Sequence, residues 1–180
     1  MAGGLKEVRE RIGSVQNTMQ ITSAMKMVAA AKLRRAQEAI TRMRPYAEKL
    51  QAVLSNVSAS LDSGEGVFSE KREAKQVLYV AITSNRGLCG GFNNNIAKEI
   101  RKEMSQTEAM CHVLPLGKKA NDAFKKDKSL VPVGFADDAW KIFDDLNFDR
   151  AQLVAENIME QFEAGQYDVV KIVYNRFVNA

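Results

Sequence analysis

Residues 84–93, SNRGLCGGFN, are the one stretch of this sequence whose composition suggests cofactor chemistry. Glycines that follow a first strand let backbone amides approach a phosphate at the start of the next helix. However, Gly87, Gly90 and Gly91 do not form the GxGxxG pattern of dinucleotide-binding proteins, and no GKS or GKT follows as in a nucleotide P-loop. A Lys-Lys pair at 118–119 lies where a dinucleotide fold would place an acid for the ribose hydroxyl. We therefore expect a structural loop, formed by Arg86, Gly87, Cys89, Gly90 and Gly91, and no bound cofactor.

Other reactive side chains are few. His112 is the only histidine, and its place in a predicted strand favours a packed residue over a ligand or base. Cys89 and Cys111 lack the CxxC spacing and the companion ligands of a zinc site. No GxSxG nucleophile motif occurs. Four acidic residues are expected to be helix caps and solvated surface: Asp137, Asp138, Asp144 and Asp145. The sequence thus predicts no catalytic residue and no metal site.

The elements that position this loop alternate between strand and helix. Short, continuously apolar runs typical of buried parallel strands occur at 77–83, 111–116 and 168–174, and a weaker one, interrupted by Pro132, at 130–135. Helices are predicted at 94–104, at 118–126, from Asp137 or Asp138 to 146, and from a capping box of Asp149 and Gln152 to Gly165. Such alternation predicts an α/β fold with a mainly parallel, Rossmann-like sheet flanked by helices. We assign it to residues 77–180, after a polar linker at 62–76.

Residues 1–61 follow a different pattern. Apolar residues spaced alternately three and four apart form one heptad seam, which is typical of a long coiled-coil helix. Its main members are Leu33, Ile40, Met43, Leu50, Leu54, Val57 and Leu61, and the same register begins at Leu5. No later segment repeats the pattern at comparable length. We therefore expect something outside these 180 residues to cover the seam.

The seam weakens between Met19 and Leu33, where Thr22 and Lys26 occupy seam positions. Apolar residues there surround much of the helix, which indicates burial on several sides, either in a sleeve or as an ordinary core helix of a larger bundle. Pro45 lies within the pattern, and we expect a bend there without a stop, because the heptads continue in phase.

Positive charge is concentrated in the same helix. Residues 1–61 contain ten Lys or Arg and four Glu, a net charge of +6, whereas residues 62–180 have a net charge of −2. An acidic partner and a solvated face both remain open, but nucleic acid is disfavoured because no aromatic stacking platform accompanies the charges. The two cysteines suggest a reducing compartment, and no apolar run is long enough to span a membrane. Met1 opens directly into structured sequence, so no organelle-targeting leader is expected.

Three stretches of the sequence resemble a known family. Residues 14–37 (SVQNTMQITSAMKMVAAAKLRRAQ), 83–93 (TSNRGLCGGFN) and 44–48 (RPYAE) closely resemble the gamma subunit of the F-type, proton-translocating ATP synthase. The similarity extends along the chain in the same order.

The resemblance implies a rotor shaft of the central stalk, which is not catalytic by itself. In that family the N-terminal helix lies inside a hexamer of α and β subunits, whose β subunits present an acidic loop to it. The Rossmann-like domain lies against the epsilon subunit and the ring of c subunits. The resemblance therefore favours the acidic partner, with Met25, Lys26, Arg34 and Arg35 as candidate contacts. It also implies a peripheral position on the cytoplasmic face of a bacterial cell membrane.

The chain departs from the family in one large feature. The family's C-terminal helix is missing, and with it roughly the last third of the expected protein. We expect a truncated or proteolysed form whose uncovered seam pairs with a second copy or frays toward Met1. The alternative function is a nucleotide-binding α/β enzyme that uses the helix as a dimerisation arm. A nucleotide titration would discriminate between the two.

Overall fold

The computed structural model describes residues 3–60 and 66–178 of the 180-residue chain. The chain divides into two compact units, Met1–Asp62 and Ser63–Ala180. The described residues of the first unit form a single helix, and those of the second form an α/β unit built on a parallel sheet. This mixed architecture confirms the predicted fold class.

Helix α1, Gly3–Ser60, runs without interruption for 58 residues. Its middle is rich in alanine, methionine, lysine and arginine, which lose little conformational freedom in a helix. Pro45 lies inside the helix and does not end it, as predicted, because proline removes a single helical hydrogen bond and the neighbouring turns persist. Leu61, the last seam residue predicted from the heptads, lies outside the described residues.

The sheet of the second unit has three parallel strands, β1 Gln76–Ile82, β2 Met110–Leu116 and β3 Val169–Val173. Their order is β2-β1-β3, so β1 is central. Val77 of β1 pairs with Cys111 of β2 and with Val169 of β3. The central strand is buried on both faces, which explains its continuous run of apolar residues. The strands predicted at these three places are confirmed, with ends that differ by one residue.

Two apolar clusters cover the two faces of the sheet, because successive side chains of a strand point in opposite directions. Val77, Tyr79 and Ala81 pack on one face against two helices, α2 (Phe92–Met104) and α3 (Lys118–Phe124). Leu78 and Val80 pack on the other face with Leu114, Ile142 and Tyr167, where helix α4 (Phe148–Glu163) lies. The helices predicted at 94–104 and 118–126 are confirmed, although each has one end that differs by two residues.

The strand predicted at 130–135 is wrong. A short 3-10 helix, Lys128–Leu130, ends where the strand was expected to begin. It is capped by Asp127, whose side chain accepts a hydrogen bond from the amide of Ser129 at 3.1 Å. The following residues form no strand among the described parts of the chain, which contain three strands. Pro132 has no amide proton to give to a ladder, and that deficit outweighs the β-branched residues beside it.

Two helix starts also differ from the predictions. The helix expected from Asp137 or Asp138 is a 3-10 helix, Ala139–Asp144, and Asp138 at its start makes no side-chain capping bond. Helix α4 is capped by Asn147, whose side chain accepts a hydrogen bond from the amide of Arg150 at 2.9 Å. The predicted capping box was therefore misplaced by two residues. Gly165 does end this helix in a left-handed conformation, with φ of 73°, as predicted.

The segment interpreted as a linker makes specific contacts where it is described, from residue 66 onward. Phe68 stacks on Phe162 of α4 with ring centroids 6.0 Å apart. The guanidinium of Arg72 lies 4.5 Å from the same ring and donates from Nη1 to the carbonyl oxygen of Phe162 at 2.7 Å. That carbonyl belongs to the last turn of α4 and also accepts from the amide of Gly165 at 3.1 Å, so Arg72 adds a second, charged donor at the end of the helix. The described part of this segment therefore packs against helix α4 of the α/β unit.

Candidate functional site

The heptad seam of α1 is open along its described length. Its seam side chains from Leu33 to Val57 are between 40% and 61% exposed: Leu33, Ile40, Met43, Leu50, Leu54 and Val57. Burying one such side chain contributes about 1.5 to 3 kcal/mol. Covering this row of side chains with another surface would therefore contribute a large favourable free energy of association.

The middle of α1 combines exposed apolar groups with unpaired charge. Met25, Met27 and Val28 are exposed around the helix, and methionine adapts well to surfaces of changing shape. Arg34 forms an ion pair with Glu38 at 2.9 Å, but its side chain is largely exposed, so this pair contributes little. Among the described residues, Lys26 and Arg35 form no ion pair. The four predicted contact residues thus share one solvent-exposed stretch of about three helical turns.

The side chain of Asn93 organises the glycine-rich loop between β1 and α2. Its Oδ1 accepts from the amide of Ser84 at 2.9 Å, and its Nδ2 donates to the carbonyl of Arg86 at 3.1 Å. The same Nδ2 lies 3.1 Å from the sulfur of Cys89. One asparagine at the end of the loop thus holds polar groups at its start and in its middle. The loop residues predicted from the sequence were mainly glycines and did not include Asn93, which is the second residue of α2.

The three glycines of this loop differ in backbone conformation. Gly90 adopts a left-handed conformation, with φ of 57°, whereas Gly87 and Gly91 do not. Leu88 is also left-handed, with φ of 59°, and its side chain is fully exposed. Leucine in this conformation costs roughly 1 to 2 kcal/mol. The loop therefore holds a strained, exposed apolar side chain that no composition signal revealed.

Gly117, which follows β2, is the most constrained glycine of the unit. It has φ of 110°, and a Cβ at this position would overlap the carbonyl oxygen of Thr83. Close approach of these two backbones lets the amide of Lys118 bond to Asn85 at 2.9 Å and the amide of Lys119 bond to Ser84 at 3.2 Å. These hydrogen bonds connect the residues that follow β1 to the residues that follow β2. A dinucleotide fold would bind the ribose at this place.

His112 and the two cysteines occupy separate places. His112 is buried against Tyr167, with ring centroids 5.6 Å apart, and its Nδ1 has no hydrogen-bond partner among the described residues. Burial lowers the pKa of His112 below its ordinary value. Cys89 is exposed and Cys111 is half-buried, and both are free thiols. His112 is a packed residue, as the sequence predicted.

Potential metal ligands do not cluster in the residues that the structure describes: no group of three or more His, Cys, Asp or Glu side chains has a suitable arrangement. Within the same residues, no helix combines the length and apolar character needed to cross a membrane.

Comparisons with known proteins show the family of the chain. A family model described as ATP synthase matches residues 4–180. The chain is 51% identical over 178 residues to the "ATP synthase gamma chain" of Flavobacterium psychrophilum, which covers 98% of this chain and 60% of the relative. The "ATP synthase gamma chain" of Pelotomaculum thermopropionicum is 38% identical over 175 residues, with coverage of 97% and 60%. The chain thus spans about 60% of the length of the curated relatives it matches.

Proposed function

This chain belongs to the family of ATP synthase gamma chains, and on that premise we propose that it forms the shaft of the central stalk. In this role it couples proton-driven rotation of the membrane ring to ATP synthesis or hydrolysis in the catalytic hexamer. It contributes no catalytic residue and binds no cofactor itself. It works as a peripheral subunit on the cytoplasmic face of a bacterial cell membrane.

The observation that carries this proposal is the open seam of α1. A helix of 58 residues with large apolar side chains exposed along one stripe is unfavourable in water unless another surface covers it. A shaft that lies in the bore of a hexamer meets this requirement along its length. The seam residues Leu33, Ile40, Met43, Leu50, Leu54, Val57 and Leu61 are proposed to pack against a second helix within that bore.

The middle of α1 is proposed to contact the α and β subunits directly. Met25 supplies an adaptable apolar contact, and Lys26, Arg34 and Arg35 face the acidic loop of the β subunits. Such a shaft is asymmetric, so each β subunit meets a different face of it as it turns. Differential contact with the open and closed β conformations shifts their populations, and this couples rotation to nucleotide affinity.

The α/β unit is proposed to meet the remaining partners, the epsilon subunit and the ring of c subunits. The loop with Arg86, Gly87, Cys89, Gly90 and Gly91 is proposed to be structural, and its internal bonds to Asn93 support that role. No observation favours the alternative of a nucleotide-binding enzyme with a dimerisation arm. Calorimetry with ATP, ADP and NAD is expected to give no micromolar binding, and saturable binding abolished by Gly90→Val would contradict the structural role.

The decisive experiment measures assembly of this chain with a hexamer of α and β subunits over a series of salt concentrations. Reversing two charges, Arg34→Glu with Arg35→Glu, is expected to weaken assembly roughly tenfold, because each exposed charge contact contributes up to about 1 kcal/mol. The salt dependence of the remaining affinity should also become smaller, since screened attractions have been removed.

The matched control reverses two basic residues on the same helix outside the middle stretch, Lys6→Glu with Arg9→Glu. It changes the net charge of the chain by the same amount. Equal weakening by both variants would mean that only overall charge matters. Unchanged affinity and salt dependence in the Arg34 and Arg35 variant would mean that these side chains are merely solvated.

A further inference from the structure

A cavity of about 440 Å³ lies between the 3-10 helix Ala139–Asp144 and helix α4. This volume is within the range of sites that accept a ligand or an anchoring side chain. Its apolar lining includes Ile142, Leu153 and Val154. The cavity lies on the α/β unit and is separate from the contact residues proposed on α1.

Hydrogen-bond acceptors predominate among the polar groups of this cavity. Asp138, Asp144 and Asp145 line it, and none of the three forms an ion pair among the described residues. Asp144 accepts a hydrogen bond from Nδ2 of Asn85 at 2.9 Å. Asn157 also lines the cavity, and its Oδ1 is buried without a hydrogen-bond partner while its Nδ2 donates to the carbonyl of Gly134 at 3.1 Å. An unsatisfied buried acceptor costs about 1 to 3 kcal/mol. An occupant that donates hydrogen bonds and carries positive charge would complement the carboxylates beside Asn157.

Two basic residues, Lys141 and Arg150, also line the cavity and offset part of the acidic charge. The ammonium of Lys141 lies 5.5 Å from the ring centroid of Trp140, so it has a contact outside the carboxylates. Three carboxylates against two cations leave a net negative lining. This charge disfavours nucleic acid and other phosphate ligands.

Apolar surface continues beyond the cavity. The chain between the lining residues Asp145 and Arg150 carries Leu146 and Phe148, and Phe148 is 77% exposed. Leu153, on the cavity wall, is also exposed. A small molecule inside the cavity would leave these side chains uncovered. A patch of exposed apolar residues beside a cavity with charged groups in its wall is typical of a protein interface.

We propose that this surface docks a partner protein that inserts an arginine or lysine side chain between Asp138, Asp145 and Asn157 and covers Leu146 and Phe148 with apolar neighbours. The aliphatic stem of the inserted side chain packs against Ile142 and Leu153, and its cationic end donates to the acceptors. The inference goes beyond the proposed function, because that function gives the α/β unit partners but assigns them no surface or contact chemistry, and the binding of a basic side chain here does not require the hexamer.

The first test titrates the isolated chain with a tripeptide, acetyl-Leu-Arg-Leu-amide, and follows the backbone amides by NMR. Shifts are expected around Ile142, Leu153 and Asn157, with millimolar affinity. The citrulline counterpart, which has the same shape without the charge, should bind at least threefold more weakly. Asp145→Asn should weaken binding of the arginine peptide to a similar degree.

Asp137→Asn serves as the matched control, because Asp137 directly precedes the lining residue Asp138 but does not itself line this cavity. It should leave binding unchanged, and Trp140 fluorescence checks that both variants keep their fold. Equal binding of the arginine and citrulline peptides, equal effects of the two variants, or no shift at these residues would each overturn the proposal.

The second test places the photo-crosslinker p-benzoylphenylalanine at position 148 of the chain assembled in purified ATP synthase. The expected product joins residue 148 to a peptide of another subunit that contains an arginine or lysine among apolar residues. Attachment only to a second copy of this chain, or to a peptide without a basic residue, would overturn the proposal. Assembly with the α and β subunits is scored in the same sample, so a failure of the proposed function is seen separately. If the chain does not assemble, the peptide titration alone decides.

Discussion

Helix α1 and the α/β unit use apolar residues in opposite ways. In α1 the seam residues leave at least 40% of their surface in water, whereas the residues of β1 form two closed clusters with the helices around them. Both regions have strong apolar periodicity. The difference is that the α/β unit contains its own partner surfaces, and the described part of α1 does not. Periodicity therefore specifies which residues will be buried but does not specify by what.

The largest expected contrast comes from the same substitution in both regions. Leu78→Ala removes a fully buried side chain and should lower the free energy of unfolding of the α/β unit by about 3 kcal/mol. Leu50→Ala, in the half-exposed seam, should change the same free energy of unfolding by less than about 0.5 kcal/mol. Denaturant unfolding followed by Trp140, the only tryptophan, measures both.

Leu50→Ala should instead weaken contacts between chains. Sedimentation over a concentration series is expected to show that the wild-type chain self-associates through the seam and that this variant does so less. A monomer at high concentration with a protease-resistant α1 would contradict an exposed seam that needs a partner.

Glycine-to-alanine substitutions should have opposite signs in the two regions. Gly117→Ala should destabilise the α/β unit by roughly 2 to 3 kcal/mol, because the residue has φ of 110° and a Cβ would overlap Thr83. Gly13→Ala should stabilise α1 by about 1 kcal/mol, since its Cβ has open space and alanine favours a helix. Circular dichroism and Trp140 fluorescence separate the two effects. Stabilisation by Gly117→Ala would show that the backbone there is not constrained.

The regions should also differ in their response to pH between 5 and 7. Burial lowers the pKa of His112 in the folded state, so just below its ordinary value of about 6.5 the unfolded chain binds more protons than the folded one. Stability of the α/β unit should therefore be full above that value and fall as the pH decreases toward the folded-state pKa. Since α1 contains no histidine, its helicity should not respond in this window.

His112→Phe keeps an aromatic ring beside Tyr167 and removes the titrating group. Denaturation midpoints of this variant should be flat between pH 5 and 7 while those of the wild type decline. Equal slopes in the two proteins would assign the pH dependence to other groups.

The smallest expected effect concerns Leu88, which resembles the residues of α1 because it is apolar and exposed. Leu88→Gly should stabilise the α/β unit by about 0.5 kcal/mol, because glycine relieves the left-handed strain but makes the unfolded chain more flexible. Cys89→Gly, at a position without positive φ, should destabilise the unit slightly. A destabilising Leu88→Gly would mean that the leucine side chain supports the loop.

Local patterns in the sequence were sufficient for much of this protein. The heptads predicted a helix that continues through Pro45, the continuous apolar runs predicted the three strands, and Gly165 predicted the end of α4. Each of these features depends on residues close together in the chain, where periodicity and turn chemistry act directly. The incomplete phosphate motif led to the prediction of a structural loop, and the open seam led to the prediction of a contact surface on α1; both stay predictions.

Only the tertiary structure decided the features that join distant residues. Whether 130–135 forms a strand depends on a neighbouring edge, and Pro132 could not supply the ladder bond. The anchoring of Arg72 to Phe162 links residues 90 positions apart, and the cavity beside Asn157 exists only where the 3-10 helix meets α4. Sequence periodicity states which surface a segment must bury, but the partner of that surface is fixed by packing in three dimensions.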